Sequence, residues 1–122
     1  MNNIELSLLN EESFVDERIL DSNLDLPSKT LRIEIDGAAL NTGNYLSKTI
    51  LNVSDWYDLK VVKRIDDVTT ILPSYSEDFL TSIIEFHYDG TELKLVGLGD
   101  HCWIEWIFLK PKITVCGEID PT

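Results

Sequence analysis

Trp103-Ile104-Glu105-Trp106-Ile107-Phe108-Leu109 is the stretch on which the fold turns. Successive side chains of a strand point to opposite faces, so Trp103, Glu105 and Ile107 take one side and Ile104, Trp106 and Phe108 the other. Large apolar groups on both sides describe a central strand covered twice, or one whose second face meets a partner. Trp106 belongs to the core on this reading. Pro111 ends the strand, because proline cannot donate to a sheet ladder, and residues 113–119 read as the last strand.

Period two dominates the rest of the chain. Residues 84–88 and 92–96 alternate on either side of Asp89-Gly90, a pair that tolerates the positive backbone dihedrals of a tight hairpin. Residues 30–36 give the clearest alternation, with Leu31, Ile33 and Ile35 opposite Arg32, Glu34 and Asp36, as a half-solvated strand requires. Pro27 fits the turn that feeds it. Residues 45–53 and 59–65 read as further strands and 18–23 as a weaker one. Asp55 to Asp58 is either one helical turn or a loop closed by Trp56. Ile4, Leu6, Leu8 and Leu9 are placed in an edge strand or in a partly mobile segment.

No segment carries a helical stripe of three turns. The expected fold is mainly β: a single domain of seven or eight short, mostly antiparallel strands in a sandwich or curled sheet. The alternative is an α+β arrangement with one short helix over residues 76–82, capped by Ser76.

Composition narrows the function. The 122 residues hold 22 Asp and Glu against 10 Lys and Arg, a formal charge of −12. With 43% hydrophobic residues the chain folds rather than staying disordered. Its charge repels nucleic acid and anionic membrane and attracts basic protein surfaces. The apolar runs are too short to span a bilayer. Residues 1–5 lack a secretion signal, so cytoplasmic residence is expected.

No reaction motif stands out. Asp100-His101-Cys102 is the nearest to one, yet neighbours on a strand point apart, and a thiolate needs its imidazole within reach. His87, His101, Cys102 and Cys116 lack the short paired spacing of a zinc site. Cys102 and Cys116 are expected on adjacent strands as two buried thiols. Glu11-Glu12, Asp16-Glu17 and Asp66-Asp67 read as solvated charge, with no calcium loop among them. Gly97-Leu98-Gly99 is no phosphate loop, and Lys60, Lys63 and Arg64 are answered by Asp66 and Asp67. No catalytic residue, metal or cofactor is therefore expected.

Two features point to binding. Residues 1–36 contain nine carboxylates against Arg18, Lys29 and Arg32, which concentrates half the charge excess in the first third. Trp56 and Tyr57 lie between Asp55 and Asp58, and tyrosine or tryptophan beside carboxylates suits contact with a basic partner. Trp56 and Tyr57 serve either as core or as interface. The candidate partner-binding residues are Asp16, Glu17, Asp21, Asp55, Trp56, Tyr57 and Asp58.

In size, acidity and strand-rich patterning the chain resembles the small immunity proteins of bacterial polymorphic or contact-dependent toxin systems. A local likeness lies in Phe14-Val15-Asp16-Glu17-Arg18-Ile19, although members of the β-rich immunity families commonly carry histidine where this chain has Val15. The resemblance implies an inhibitor that binds one cognate, basic toxin or effector protein. A monomer is the default, since central placement explains the two apolar faces of residues 103–109 without an oligomer, and no enzyme is expected. The competing classes are a ligand-binding or accessory β-domain, with a pocket lined by Tyr or Trp between its sheets, and a small hydrolase or cysteine enzyme.

Overall fold

The computed structural model describes residues 2–65, 68–72, 81–99 and 102–119, with the backbone alone for 65 and 68–72. Eleven strands form two antiparallel sheets, and no long helix occurs among the described residues. In chain order they are β1 (Asn2–Ile4), β2 (Ile19–Asp25), β3 (Thr30–Ile35), β4 (Ala38–Ala39), β5 (Tyr45–Ser54) and β6 (Asp58–Ile65). Then come β7 (Val68–Leu72), β8 (Ser82–Tyr88), β9 (Glu92–Gly99), β10 (Cys102–Leu109) and β11 (Lys112–Ile119). The first sheet runs β1-β11-β5-β3-β2 with β4 beside β5, and the second runs β7-β6-β10-β9-β8.

The chain changes sheets where apolar alternation stops. Asp55 to Tyr57 carry it from β5 to β6, and Lys110-Pro111 carry it back from β10 to β11. Asp55 and Lys110 both take positive φ at these corners. The corner backbone is tied into each sheet in turn: Asp55 N–H donates to the Lys29 carbonyl at 3.0 Å, beside β3, and Tyr57 N–H to the Leu109 carbonyl at 2.8 Å, at the end of β10.

Between the sheets lies one core. Leu31, Ile33 and Ile35 of β3, Leu51 and Val53 of β5, Leu93 and Leu95 of β9, and Ile104, Trp106 and Phe108 of β10 are all buried in it. Phe108 meets Trp56 at 5.0 Å between ring centroids and Trp106 edge-on at 6.4 Å, geometries that add to area burial. β10 is central, paired to β9 over its whole length and to β6 from Trp103 onward. Its second face is partly covered: Glu105 lies between Val62 and Val96 in register, and both valines are buried outside the main cluster.

Several expectations change. Among the described residues eleven strands replace seven or eight. β1 and β4, of three and two residues, are too short to leave a pattern, and β7 is an added strand that the sequence reading does not include. Leu6–Leu8 form a 3₁₀ turn instead of continuing an edge strand, and Asn41 fixes it by donating its backbone N–H to Leu8 and its side-chain amide to Ser7. Asp55 to Tyr57 form a loop, not a helical turn. Of the residues suggested as helical, 76–80 lie outside the described set and Ser82 opens β8.

The cysteines are not on paired strands. Cys102 begins β10 in one sheet while Cys116 sits in β11 of the other, between β5 and β1. Both thiols are free, and only Cys102 is buried. Cys116 faces outward beside Asn3, whose Oδ1 accepts its S–H at 3.1 Å.

Candidate functional site

The two sheets meet at one seam, where Arg18, just ahead of β2, bridges to Ser82 at the start of β8. Residues 9–18 build this seam by running along β8. Their turn is fixed from within by Asn10 N–H, which donates to Ser13 Oγ at 2.9 Å, and from β4 by Ala39 N–H, which donates to the Ser13 carbonyl at 2.8 Å. Phe14 anchors it, buried edge-on against Phe86 at 5.4 Å. With Ser13 and Phe14 held inside, Val15, Asp16 and Glu17 emerge on the surface. Asp16 adopts a positive φ of 65°, which a short polar side chain tolerates better than most.

A groove of about 530 Å³ opens beside them, walled by residues 15–18, by Thr81 to Ile84 and by Leu98. Its rim is apolar: Val15 is 36% exposed and Leu98 43%. Leu20, on the neighbouring edge strand, is 50% exposed. Both flanking strands are irregular here. The β2 register slips between Ile19 and Asp21, leaving Leu20 as the extra residue, and β8 slips between Ile83 and Glu85, leaving Ile84. Bulges re-aim side chains at sheet edges, which accounts for two large apolar groups projecting from alternating strands.

Carboxylates surround this apolar rim. Glu17 Oε1 accepts the Tyr45 hydroxyl at 2.8 Å, placing a 39% exposed aromatic ring beside Asp16 and Glu17. Asp21 stands directly across from Glu34 in the β2–β3 ladder. Like charges so placed destabilise a sheet. Arg32 answers Glu34 at 3.7 Å, and among the described residues no cation pairs with Asp21. Asp25 and Asp36 extend the same edge, both exposed. Asp89, at the far β8–β9 turn, is the one described carboxyl held below its usual range, chiefly by the backbone N–H groups of Glu92 and Thr91.

The candidate residues therefore separate. Asp16, Glu17 and Asp21 gather at the seam. Asp55, Trp56, Tyr57 and Asp58 sit at the opposite end of the sandwich, because β3 leads from Thr30, beside the Asp55 corner, to Ile35 beside Ile19. Six strand residues separate the two groups by about 20 Å. Within the second group the chain divides again. Trp56 is 4% exposed and belongs to the core, while Tyr57 is 75% exposed. Asp55 is already paired with Lys112 at 3.3 Å.

Catalytic chemistry finds less here. Asp100 and His101 lie outside the described residues, as do Asp66 and Asp67. His87 Nδ1 and Glu11 Oε1 are 3.0 Å apart, an imidazole–carboxylate contact the sequence did not suggest. The adjoining cleft is about 120 Å³ and is lined by Leu6, Leu9, Asn10, Phe86 and Tyr88 besides the pair. None of these lining residues supplies a hydroxyl or thiol nucleophile of the serine or cysteine type that such a base would activate. Among the described residues no group of three His, Cys, Asp or Glu side chains is arranged to hold a metal ion, and no helix is long and apolar enough to cross a membrane.

Tyr45, Leu20 and Leu98 are not among the binding residues that the sequence suggests. Tyr45 reaches Glu17 across 28 positions, which no local pattern reveals. Ile19-Leu20 does leave a trace: two adjacent apolar residues inside an alternating run mark a bulge. The chain matches no family model, no curated protein and no solved structure.

Proposed function

We propose that this protein is an immunity or inhibitor protein, which binds and neutralises a cognate basic toxin domain through an acidic and aromatic surface. In this reading it acts in the cytoplasm as a monomer, without a cofactor, and neither nucleic acid nor membrane is its target. The observation that carries it is the seam itself, where Tyr45 stands on Glu17 beside Asp16 and Asp21 faces Glu34 without a cation of its own. A basic partner supplies the missing charge, and exposed apolar groups at the same place give it something to bury.

A ligand-binding β-domain would place Tyr or Trp in a pocket between the sheets. The seam groove is lined by neither, and the cleft that Tyr88 lines is only about 120 Å³, smaller than ordinary ligand pockets. The test is co-purification with the product of the adjacent gene at low salt. A complex that weakens as salt rises supports inhibition by charge complementarity, and its absence at low salt removes the proposal.

A further inference from the structure

The two edge strands that flank the seam are treated differently by the fold. The edge of β8 is covered: residues 9–18 lie along it, Phe86 N–H donates to the Glu11 carbonyl at 3.1 Å, and Arg18 bridges Ser82. Among the described residues nothing covers the edge of β2 in this way. It ends its sheet, and no described residue pairs with its outer side beyond the Arg18 bridge. Alternate residues of such a strand turn N–H and C=O groups outward with no partner.

The core is also unfinished under this strand. The inward residues of β3 are fully buried, whereas Ile19, Ser22 and Leu24 of β2 are only half-buried. On the outer face, Asp21, Asn23 and Asp25 follow one another at every second position, all exposed. Around this edge the six carboxylates Asp16, Glu17, Asp21, Asp25, Glu34 and Asp36 stand against three cations, Arg18, Lys29 and Arg32.

We infer that β2 accepts an extended, basic, amphipathic strand of the partner, which continues the sheet. This rests on the inhibitor reading and specifies its mode. Main-chain hydrogen bonds to the outward groups of β2 supply affinity, and alternate side chains supply specificity. Apolar residues of the incoming strand cover Ile19 and Leu24, and the one nearest Arg18 reaches the groove between Val15 and Leu98. Lys or Arg four positions apart on its other face meet Asp21 and Asp25. A second copy of this chain is disfavoured by charge: antiparallel pairing of two β2 strands about Asn23 sets Asp21 against Asp25, where like charges repel, and other registers still bring two acidic edges together.

The test uses the full ¹⁵N-labelled chain and a nine-residue peptide of alternating lysine and valine. Two control peptides carry glutamate in place of lysine, or N-methyl groups on every backbone nitrogen, which removes the donors of both strand edges. The expected result is binding of the lysine peptide alone, with amide exchange at residues 19–25 slowed at least about tenfold, as a new ladder requires. Asp21→Lys weakens this binding about three- to tenfold while preserving the fold, since one cross-strand charge contact changes sign. If the N-methylated peptide binds equally well, or the protected amides lie away from β2, strand addition is overturned and acid-directed binding survives. If no cationic peptide binds and the adjacent gene product forms no complex either, both fall together.

Discussion

Two neighbouring aromatic residues show how finely position decides role. Trp56 and Tyr57 share one corner, yet Trp56 packs on Phe108 and Tyr57 stands in solvent, because a single peptide unit reverses side-chain direction in an extended chain. Tyr45 owes its place to a residue with no side chain. A Cβ on Gly37 would collide with the Tyr45 hydroxyl and lie 2.5 Å from the Leu46 carbonyl oxygen, and backbone cannot step aside. Gly37→Ala is therefore expected to cost about 1–3 kcal/mol, read by chemical denaturation, and to displace Tyr45 from Glu17, read as a changed Tyr45 ring resonance. A variant with wild-type stability and an unmoved ring would show that the contact yields freely. At the β8–β9 turn, Asp89 Oδ1 accepts from the N–H groups of Thr91 and Glu92, each at 2.8 Å, and these bonds lower its pKa. The folded value lies below the unfolded one, near 3.9. Its contribution is thus present above that pH and is lost as pH falls through the folded value. Asp89→Asn should flatten the acid limb of the stability curve below about pH 4 and leave its shape at neutral pH unchanged. An acid limb identical to wild type would remove Asp89 as its source.

At the scale of elements, the covering of β8 depends on one anchor. Phe14 is buried against Phe86 at the middle of a segment otherwise held by short polar contacts. Phe14→Ala should cost about 3–5 kcal/mol, and it should raise amide exchange along β8 before exchange elsewhere in the sheet. Uniform acceleration across both sheets would mean that residues 9–18 are not a separate cover. This cover was hard to read in the sequence for a physical reason: Ser13, Phe14 and Glu11 act on strands 26 to 76 positions away, and turns without alternation announce no partner. The strands with steady alternation were legible. Residues 30–36 and 103–109 lie as the period requires, and the Asp89-Gly90 turn joins β8 to β9, with four residues between the last pair, Tyr88 and Leu93. Short strands were not legible, because Ala38–Ala39 has no room for a period. The site was half legible. The carboxylates Asp16, Glu17 and Asp21 could be named from charge alone, but the bulges that set Leu20 and Ile84 beside them depend on register with β3 and β9.

The acid excess is distributed by the fold into regions that behave differently. At the Asp55 end it is partly answered, through Lys112 at 3.3 Å, while along β2 and β3 it is largely not. The two ends lie about 20 Å apart, beyond a Debye length of about 8 Å at physiological ionic strength, so in the cell each acts locally. Salt should then have opposite effects on folding and on association. Screening relieves self-repulsion within the free protein and removes attraction to a basic partner. Raising NaCl from about 20 mM to about 300 mM is expected to increase the melting temperature by a few degrees and to weaken any complex over the same range. Asp21→Lys separates the local contribution from the global one. It replaces repulsion from Glu34 with attraction, so it should stabilise the free protein by about 0.2–1 kcal/mol and reduce the salt sensitivity of its melting. A destabilised variant, or one with unchanged salt dependence, would show that Asp21 is relieved by solvent alone and that the β2 edge holds no excess for a partner to neutralise.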